Sequence, residues 1–493
     1  MAATISDDYK RDILRDIYNS HQNINVSAGD SDRFYIGIGR PEEWDNATDS
    51  PPTPNPSFSD IKYFQSSLQS IKLVTDASYV IPRYNWSAGS QYSAWDDKFS
   101  SNTTVGPTGD ITGPYYVMTD DNNVYVCIQQ GKTAQGSPRN SSFKPVDTTG
   151  NNFSAGDDGY IWRYMFTVGA TGVRKYLSSA YIPVEKIIDS SQGGPAAADL
   201  SVSRASQLAL QKTSDSGSII GIAVDSGGTG YGTGVVPVTI TGANDSEASA
   251  FARAYDGSIY EVIMKIDSAN PNFHHGKGYD HAAVIAGGAG AGAVLRAMIA
   301  RDSGMHGDPR VNLNSSAIMF STQLSGSTDS DFITSNDFRQ IGLIKNPQKD
   351  SCSLTTFPSK GEDSAVDAQT AFGMKRLFTE NGTLVAANIT GDQTVTGGTS
   401  GAKAIVDKYE NDSTGILFIH QTQTTGFTPF DSGESITVSQ SGGTDTIRGF
   451  AGKPIEIPAE FDRFSGEVIY IDNRDPIERD NDQTEDIKIV IEI

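Results

Sequence analysis

Apolar residues in this chain come in short runs, and glycine punctuates them. Glycine supplies 50 of the 493 residues, spread among many Ser, Thr, Asn and Asp. Runs of roughly four to eight apolar residues bounded by turn formers read as strands, whereas helices need longer 3.6-periodic stripes. The pattern predicts a mainly β protein with a minor α+β component. Its expected architecture is multi-domain antiparallel β-sandwich layers with a few short N-terminal helices and inserted small β modules.

At this length roughly three to four domains are expected, each large enough to bury a core without metal or disulfide staples. The two cysteines, Cys127 and Cys352, lie far apart and argue for a reduced cytosolic origin rather than a disulfide framework. Residues Met1–Asp8 lack the basic start and apolar run of a signal peptide, and no window has the apolar length to span a membrane. Without secretion, matches such as Asn85-Trp86-Ser87 are chance products of composition rather than glycosylation sites. The formal net charge of −22 opposes binding to nucleic acid or anionic membranes and suits a soluble subunit kept apart until its partners arrive.

Two helices are expected near the start. Ser6 can cap a stripe of Tyr9, Ile13, Leu14, Ile17 and Tyr18, with Asp7 and Asp8 complementing the helix dipole. After the Pro-rich hinge at 51–56, a second stripe runs Ile61, Phe64, Leu68, Ile71, with Ser57 or Ser59 as its cap. Core packing is the simpler reading of both stripes; the alternative is a partner-binding helix.

Strands are expected from about Ser78. Tyr79–Trp86 reads as one, with Pro82 confining it to a sheet edge or strand start. Tyr115–Met118 and Val124–Ile128 form a hairpin across the polar loop 119–123. Tyr160–Phe166 is apolar on both faces and should be a central strand. The last strand, Asp486–Ile493, alternates Ile487, Ile489, Ile491 and Ile493 against Lys488 and Glu492 and should be anchored in a sheet.

Two segments read as insertions. Residues 205–302 carry an internal repeat of strand, Gly-Tyr turn and strand, once through Gly230-Tyr231 and once through Gly278-Tyr279. Two copies suggest a small sandwich or a solenoid-like stack. A second Gly/Ser/Thr-rich β module is expected over 376–450. The expected organisation is therefore an N-terminal core of two helices followed by β-sheet at 1–204, the repeat module at 205–302, core continuation at 303–375, the second module at 376–450, and closing strands at 451–493.

No catalytic, cofactor or metal residues are expected. Gly288–Ala293 formally fits a dinucleotide fingerprint, but phosphate binding there needs a helix N-terminus beyond the glycines. Gln130–Thr133 resembles the end of a phosphate loop, yet its first glycine position is Val126. His274, His275 and His281 form a cluster that a metal held across subunits could use, although a solvent-facing loop is the simpler reading. The acid pairs Asp96-Asp97, Asp120-Asp121 and Asp157-Asp158 read first as turn and cap formers, and only then as glycosidase carboxylates.

Four stretches combine aromatic strands with fixed polar punctuation. They are Phe34-Tyr35-Ile36-Gly37-Ile38-Gly39-Arg40 with Trp44; Asp157–Phe166; Asn336–Pro347 around Arg339; and Asp472-Asn473-Arg474 with Asn481–Ile491. As a set they resemble the protein-eight baseplate wedge subunit of T-even-like contractile-tailed bacteriophages. The resemblance covers about residues 5–195, 303–375 and 451–493. It implies a structural homodimer in the virion tail baseplate, assembled in the host bacterial cytoplasm. Such a subunit binds other wedge proteins of the same tail and rearranges on contraction, with no enzymatic activity, nucleic acid, membrane or small-molecule substrate. Trp and Arg dominate interface energetics, so Phe34, Arg40, Trp44, Trp162, Arg163, Arg339, Ile489 and Ile491 are the candidate interface residues, with Trp86 and Trp95 as further core or interface anchors. The alternative is a tail-associated glycan- or receptor-binding decoration or, further off, a polysaccharide depolymerase.

Overall fold

The computed structural model describes residues 6–22, 32–44, 50–97, 114–188, 190–192, 194, 196, 199–265, 274–300, 303–325, 337–349, 370–380, 384–385, 388–389, 393–411, 415–440, 442–448, 456–457, 459–480 and 483–493. Strands take 46% of the chain and helices 13%, so the fold is mainly β, built of several antiparallel sheets and a few short helices.

In chain order the elements begin with α1 (Asp7–Gln22), β1 (Phe34–Gly39), α2 (Phe58–Ser67), β2 (Leu68–Leu73) and β3 (Asp76–Pro82). Then come β4 (Tyr116–Met118), β5 (Asn123–Gln129), β6 (Asn152–Ser154), β7 (Ile161–Thr167), α3 (Ala170–Lys175), β8 (Tyr181–Val184) and α4 (Val202–Lys212). A β-rich stretch follows: β9 (Ile219–Thr229), β10 (Gly234–Thr241), β11 (Ser246–Ala248), β12 (Ala250–Tyr255), β13 (Ser258–Met264), β14 (His275–Lys277), β15 (Ala283–Ala286) and β16 (Ala291–Ile299). After α5 (Pro309–Asn312) come β17 (Ala317–Ser325), β18 (Asp337–Lys345), β19 (Gln348–Lys349), β20 (Thr370–Phe372) and β21 (Lys375–Phe378). The chain continues with β22 (Thr394–Gly397), β23 (Lys403–Asn411), β24 (Gly415–His420), β25 (Ser435–Val438) and β26 (Gly443–Thr446). It closes with β27 (Glu456–Ile457), β28 (Phe461–Asp462), β29 (Glu467–Glu478) and β30 (Thr484–Glu492).

Two compact units emerge. One comprises residues 1–14, 78–319 and 491–493; the other comprises 15–77 and 320–490. The 205–302 segment falls in the first unit and the 376–450 segment in the second.

In the second unit, a five-stranded sheet runs in the order β20-β2-β1-β18-β29. β1 pairs with β18 from Phe34↔Lys345 to Gly39↔Gln340, and every residue of β1 is buried. Glycine at 39 is required by approach: a Cβ there would run into the Ser67 backbone carbonyl. Tyr35, Phe64, Leu68, Ile71, Ile344, Ala371 and Phe461 fill the core. A seven-stranded sheet, β26-β25-β22-β23-β24-β21-β27, has its own core around Leu377, Val395, Val406, Leu417 and Ile436.

The second expected helix is only half right. Ser57 caps it, its Oγ accepting from the Asp60 amide at 3.1 Å, but the helix ends at Ser67 and the chain passes directly into β2. Leu68 and Ile71 therefore lie on a strand. Leu68, Gln69, Ser70 and Ile71 are all buried, so β2 is covered on both faces and shows no polar alternation. A strand of that kind can mimic helical spacing, and pairing with β1 and β20 overrides it.

In the first unit, β4 and β5 form the expected hairpin, with Tyr116↔Val126 and Met118↔Val124 in register. β7 lies between β5 and β6, a central strand as its two apolar faces predict. Trp162 stacks on Tyr160 with ring centroids 5.7 Å apart and meets Tyr92 edge-on at 5.4 Å. The Tyr79–Trp86 strand ends earlier than expected, at Pro82, which pairs opposite Tyr181. The strands of the repeat do not stack one copy on the other. Both copies contribute to a single six-stranded sheet, β13-β12-β10-β15-β16-β9, in which β10 of the first copy pairs with β15 of the second. Tyr279, after the second Gly-Tyr turn, covers the core of this sheet and is 2% exposed.

At the C-terminus, β30 is hydrogen-bonded to β17 and buries Ile487 and Ile489, which accords with the alternation read from its sequence.

Candidate functional site

The most chemically concentrated region of the second unit begins where β1 ends. Arg40 adopts φ 58°, a left-handed turn that swings its guanidinium over the Trp44 ring, 4.2 Å from its centroid. The same guanidinium lies 4.8 Å from the Tyr63 centroid, and Nη2 donates to the Glu43 carbonyl at 3.2 Å. Trp44 Nε1 donates to the Arg474 carbonyl at 3.0 Å. The Arg339 amide donates to the Arg40 carbonyl at 3.1 Å, and its guanidinium pairs with Asp337 at 2.9 Å while donating to the Pro41 carbonyl. Gln340 Nε2 donates to Asn473 Oδ1 at 2.9 Å. A cavity of about 580 Å³ opens beside this cluster, with Arg40, Trp44, Pro52, Tyr63, Gln340 and Asn473 among its walls.

Glu42 links this cluster to a buried charge relay. Its Oε1 accepts from the Tyr63 hydroxyl and from His420 Nε2, each at 3.2 Å. His420 Nδ1 donates to Asp407 Oδ2 at 2.8 Å, and Gln69 Nε2 donates to Asp407 Oδ1 at 3.2 Å. Burial alone would lower the His420 pKa, but the Asp407 and Glu42 carboxylates outweigh it and push it up to about 10. Burial would likewise raise Glu42, yet the His420 charge and hydrogen bond, together with Arg40, hold it below the usual carboxylate value. The imidazolium is thus clamped between two carboxylates, an arrangement suited to locking strands β23 and β24 against the turn after β1.

Of the interface candidates, the structure brings Arg40, Trp44 and Arg339 together here. Phe34 packs elsewhere in the same unit, stacked on Phe320 at 5.0 Å and edge-on to His21. Trp162 and Arg163 sit on β7 of the other unit, and burial lowers the Arg163 pKa to about 10 against the opposing charge of Asp215. Ile489 is buried and Ile491 half-buried. Seven of these eight side chains are buried within their own chain, and only Ile491 is partly exposed. Trp95 is also buried, its Nε1 donating to the Asn312 carbonyl at 3.1 Å, and Trp86 donates to Ser141 Oγ at 3.2 Å.

The solvent-loop reading of the histidine cluster needs correction. His281 is exposed and His274 half-buried, but His275 is 3% exposed, with Nδ1 donating to the Ile219 carbonyl at 2.6 Å. Its place on β14 turns it inward. Among the described residues, no group of three or more His, Cys, Asp or Glu is arranged to hold a metal.

Asp158 serves a turn as expected, whereas Asp96 and Asp97 form a long-range ion pair instead. Asp96 and Asp97 bind Arg296 at 2.8 and 2.5 Å, Asp120 and Asp121 bind Lys144 at 2.6 and 2.8 Å, and Asp158 accepts from the amides of Ser142 and Tyr160. Gly288–Ala293 forms the turn from β15 into β16, so a strand follows the glycines where phosphate binding needs a helix. Lys132 donates to the Tyr260 carbonyl at 2.9 Å.

Sequence reading missed Glu42, Asp407 and His420 because they are far apart in the chain. One signal was present. Asp407 ends the apolar run Ala404-Ile405-Val406, and His420 closes Ile416-Leu417-Phe418-Ile419. A charge inside a buried strand must be paired. No family model matches the chain, and no curated protein matches it in sequence.

Proposed function

We propose that this chain is a structural subunit of a bacteriophage tail baseplate wedge, of the protein-eight type, acting as a homodimer that bridges neighbouring wedge proteins. One observation carries the reading. Three of the four segments that resemble that family, Phe34–Trp44, the Arg339 stretch and Asp472–Arg474, are separated by hundreds of residues yet meet on the adjacent strands β1, β18 and β29. They are tied there by the Arg339–Arg40, Gln340–Asn473 and Trp44–Arg474 hydrogen bonds. Segments that share one cluster are what a common core, rather than chance similarity, would produce.

A charge-locked, mainly β chain also suits a part that must hold shape under load. The acidic surface limits premature association. The decisive experiment is quantitative mass spectrometry of purified virions and isolated tails against a known sixfold tail protein. A fixed stoichiometry of two copies per wedge is expected; absence from tails or variable amounts would remove the reading.

The glycan- or receptor-binding alternative draws on Tyr255 and Phe427, exposed aromatics in the 205–302 and 376–450 segments. A glycan array probed with the full chain tests it: saturable binding lost on replacing either side chain by alanine would favour that function.

A further inference from the structure

The first unit contains a cavity of about 380 Å³, within the roughly 300–1,000 Å³ range of ligand-sized pockets. β9 and β13 form part of its wall, and residues 93–96 and 128–130 form much of the rest. The two strands touch at Gly227, where a Cβ would collide with the Ile259 carbonyl, so the space lies over their closed seam rather than within it. Every residue from Ile220 to Gly227 lines the cavity, and at roughly 3.3 Å per residue that run extends about 20 Å. The cavity is long for its volume, a shape that suits an extended small molecule.

Asn152 marks one end. The Ile219 carbonyl can only accept, so His275 Nδ1, 2.6 Å away, carries the proton. Burial, reinforced by the charge of Arg163, lowers the His275 pKa to about 4, so the imidazole is neutral and Nε2 is an acceptor. Asn152 must then turn its amide nitrogen to Nε2, at 2.7 Å. Its Oδ1 is left without a hydrogen-bond partner, on a residue that is 5% exposed and lines the cavity. A buried acceptor of this kind is completed by a ligand that donates. Arg163 stands opposite Asn152 in the β6–β7 pairing, and its charge disfavours a second cation there. The donor wanted at this end is neutral.

The other end is anionic. Asp96 and Asp225 line it, and with Asp97 they share a single guanidinium, that of Arg296, at 2.8, 3.4 and 2.5 Å in that order. Burial, with the hydrogen bond and charge of Asp96, holds the Asp97 carboxyl above its ordinary value although Arg296 pulls it down. Three carboxylates around one cation leave a negative surplus, and Asp225 is exposed to receive a partner. Elsewhere on the wall charges are matched: Glu261 is 3.2 Å from Arg253, and Lys132 donates to the Tyr260 carbonyl at 2.9 Å. Ile220, Val262, Met264 and Met298 supply apolar surface.

We infer that this cavity binds an elongated aliphatic amine whose far end carries a neutral N–H donor. The ammonium lies at Asp225 and Asp96, the neutral N–H donates to Asn152 Oδ1, and the methylenes between them cover the apolar surface. Aminoalkyl amides are the simplest members of this class. A bare metal ion has no N–H to give and cannot reach both ends. The inference stands apart from the tail assignment and survives its failure.

The test is isothermal titration calorimetry on the full chain at physiological salt, using straight-chain ω-aminoalkanamides of roughly six to ten carbons. At least one member is expected to bind saturably at one site. The plain alkanamide of the same length, which lacks the ammonium, and the diamine, which puts a cation at both ends, should each bind at least about tenfold more weakly. Asp225→Asn should reduce the aminoalkanamide to the level of the plain alkanamide, and Asn152→Leu to that of the plain alkylamine. Asp120→Asn, an exposed acid paired with Lys144 outside the cavity, should change nothing. Near-ultraviolet circular dichroism checks packing, and Asp225→Asn alone decides the matter if Asn152→Leu does not fold. No saturable binding by any member, a diamine that binds as well, an equal loss in Asp120→Asn, or maltotriose binding that the same two variants abolish would overturn the inference.

Discussion

His420 and Asp407 share a hydrogen bond of 2.8 Å, and neither side chain is exposed. Glu42 completes the clamp from the turn after β1. Removing one member leaves a buried charge uncompensated, which typically costs about 3–5 kcal/mol. His420→Ala should therefore lower the unfolding free energy extrapolated from urea titration by that order. Replacing His420 and Asp407 together by leucine should recover part of the loss. A double variant no better than the single would mean that the histidine packs there without acting as a counter-ion.

The same clamp sets an alkaline limit. The folded His420 pKa, about 10, lies above its ordinary 6.5, so the folded state binds this proton more tightly. Its stabilisation is fully present below about pH 6.5 and drains away as pH rises toward 10. Glu42, held below its ordinary 4.5, keeps its share above that pH and loses it as the solution is acidified. Urea titrations from neutral to alkaline pH should show wild type losing stability faster than His420→Gln.

Two buried histidines of the other unit act with the opposite sign. Burial holds His275 at about 4 and His306 at about 3, against an ordinary 6.5. The unfolded chain therefore takes up these protons first as pH falls below 6.5, and the stability they contribute above that pH is lost. His306→Gln should flatten the acid limb of the stability profile, read as fewer protons taken up on unfolding.

Trp44 tests whether a candidate interface residue serves its own chain. Trp44→Phe removes the 3.0 Å bond to the Arg474 carbonyl, a loss of about 0.5–1.5 kcal/mol before packing changes are added. The denaturation midpoint should fall while the self-association constant from sedimentation equilibrium stays unchanged. A change in association with no change in stability would assign Trp44 to a partner surface instead.

Two glycines of β1 should differ. A Cβ at Gly39 meets the rigid Ser67 backbone, whereas one at Gly37 meets the end of the Leu68 side chain, 2.6 Å away. Gly39→Ala should cost more, within about 1–3 kcal/mol for overpacking, and Gly37→Ala less because Leu68 can turn aside. Equal midpoints for the two variants would contradict the close approach of β1 to Ser67.

Local chemistry made some elements legible. The 116–128 hairpin followed from apolar strands around a polar loop, and β7 from its two apolar faces. The seam of helix and strand at Ser67–Leu68 was not legible, because a strand covered on both faces carries no period of its own. His275 was misplaced for a related reason: a histidine beside glycines reads as a loop until β14 turns it inward. The Glu42–Asp407–His420 clamp left only the trace of charges inside apolar runs.

Composition and short-range pattern by themselves determined that this chain is mainly β, where several of its turns lie, and which residues could cap its first helices. Those features depend on backbone preferences and side-chain periods that act over a few residues. Tertiary structure alone decided that Arg40 stacks on Tyr63 and that Arg339 and Arg474 meet the turn from Arg40 to Trp44. Those relationships join residues dozens to hundreds of positions apart. Their energy comes from excluding water and pairing charges at one place in space, and no local pattern encodes where that place is.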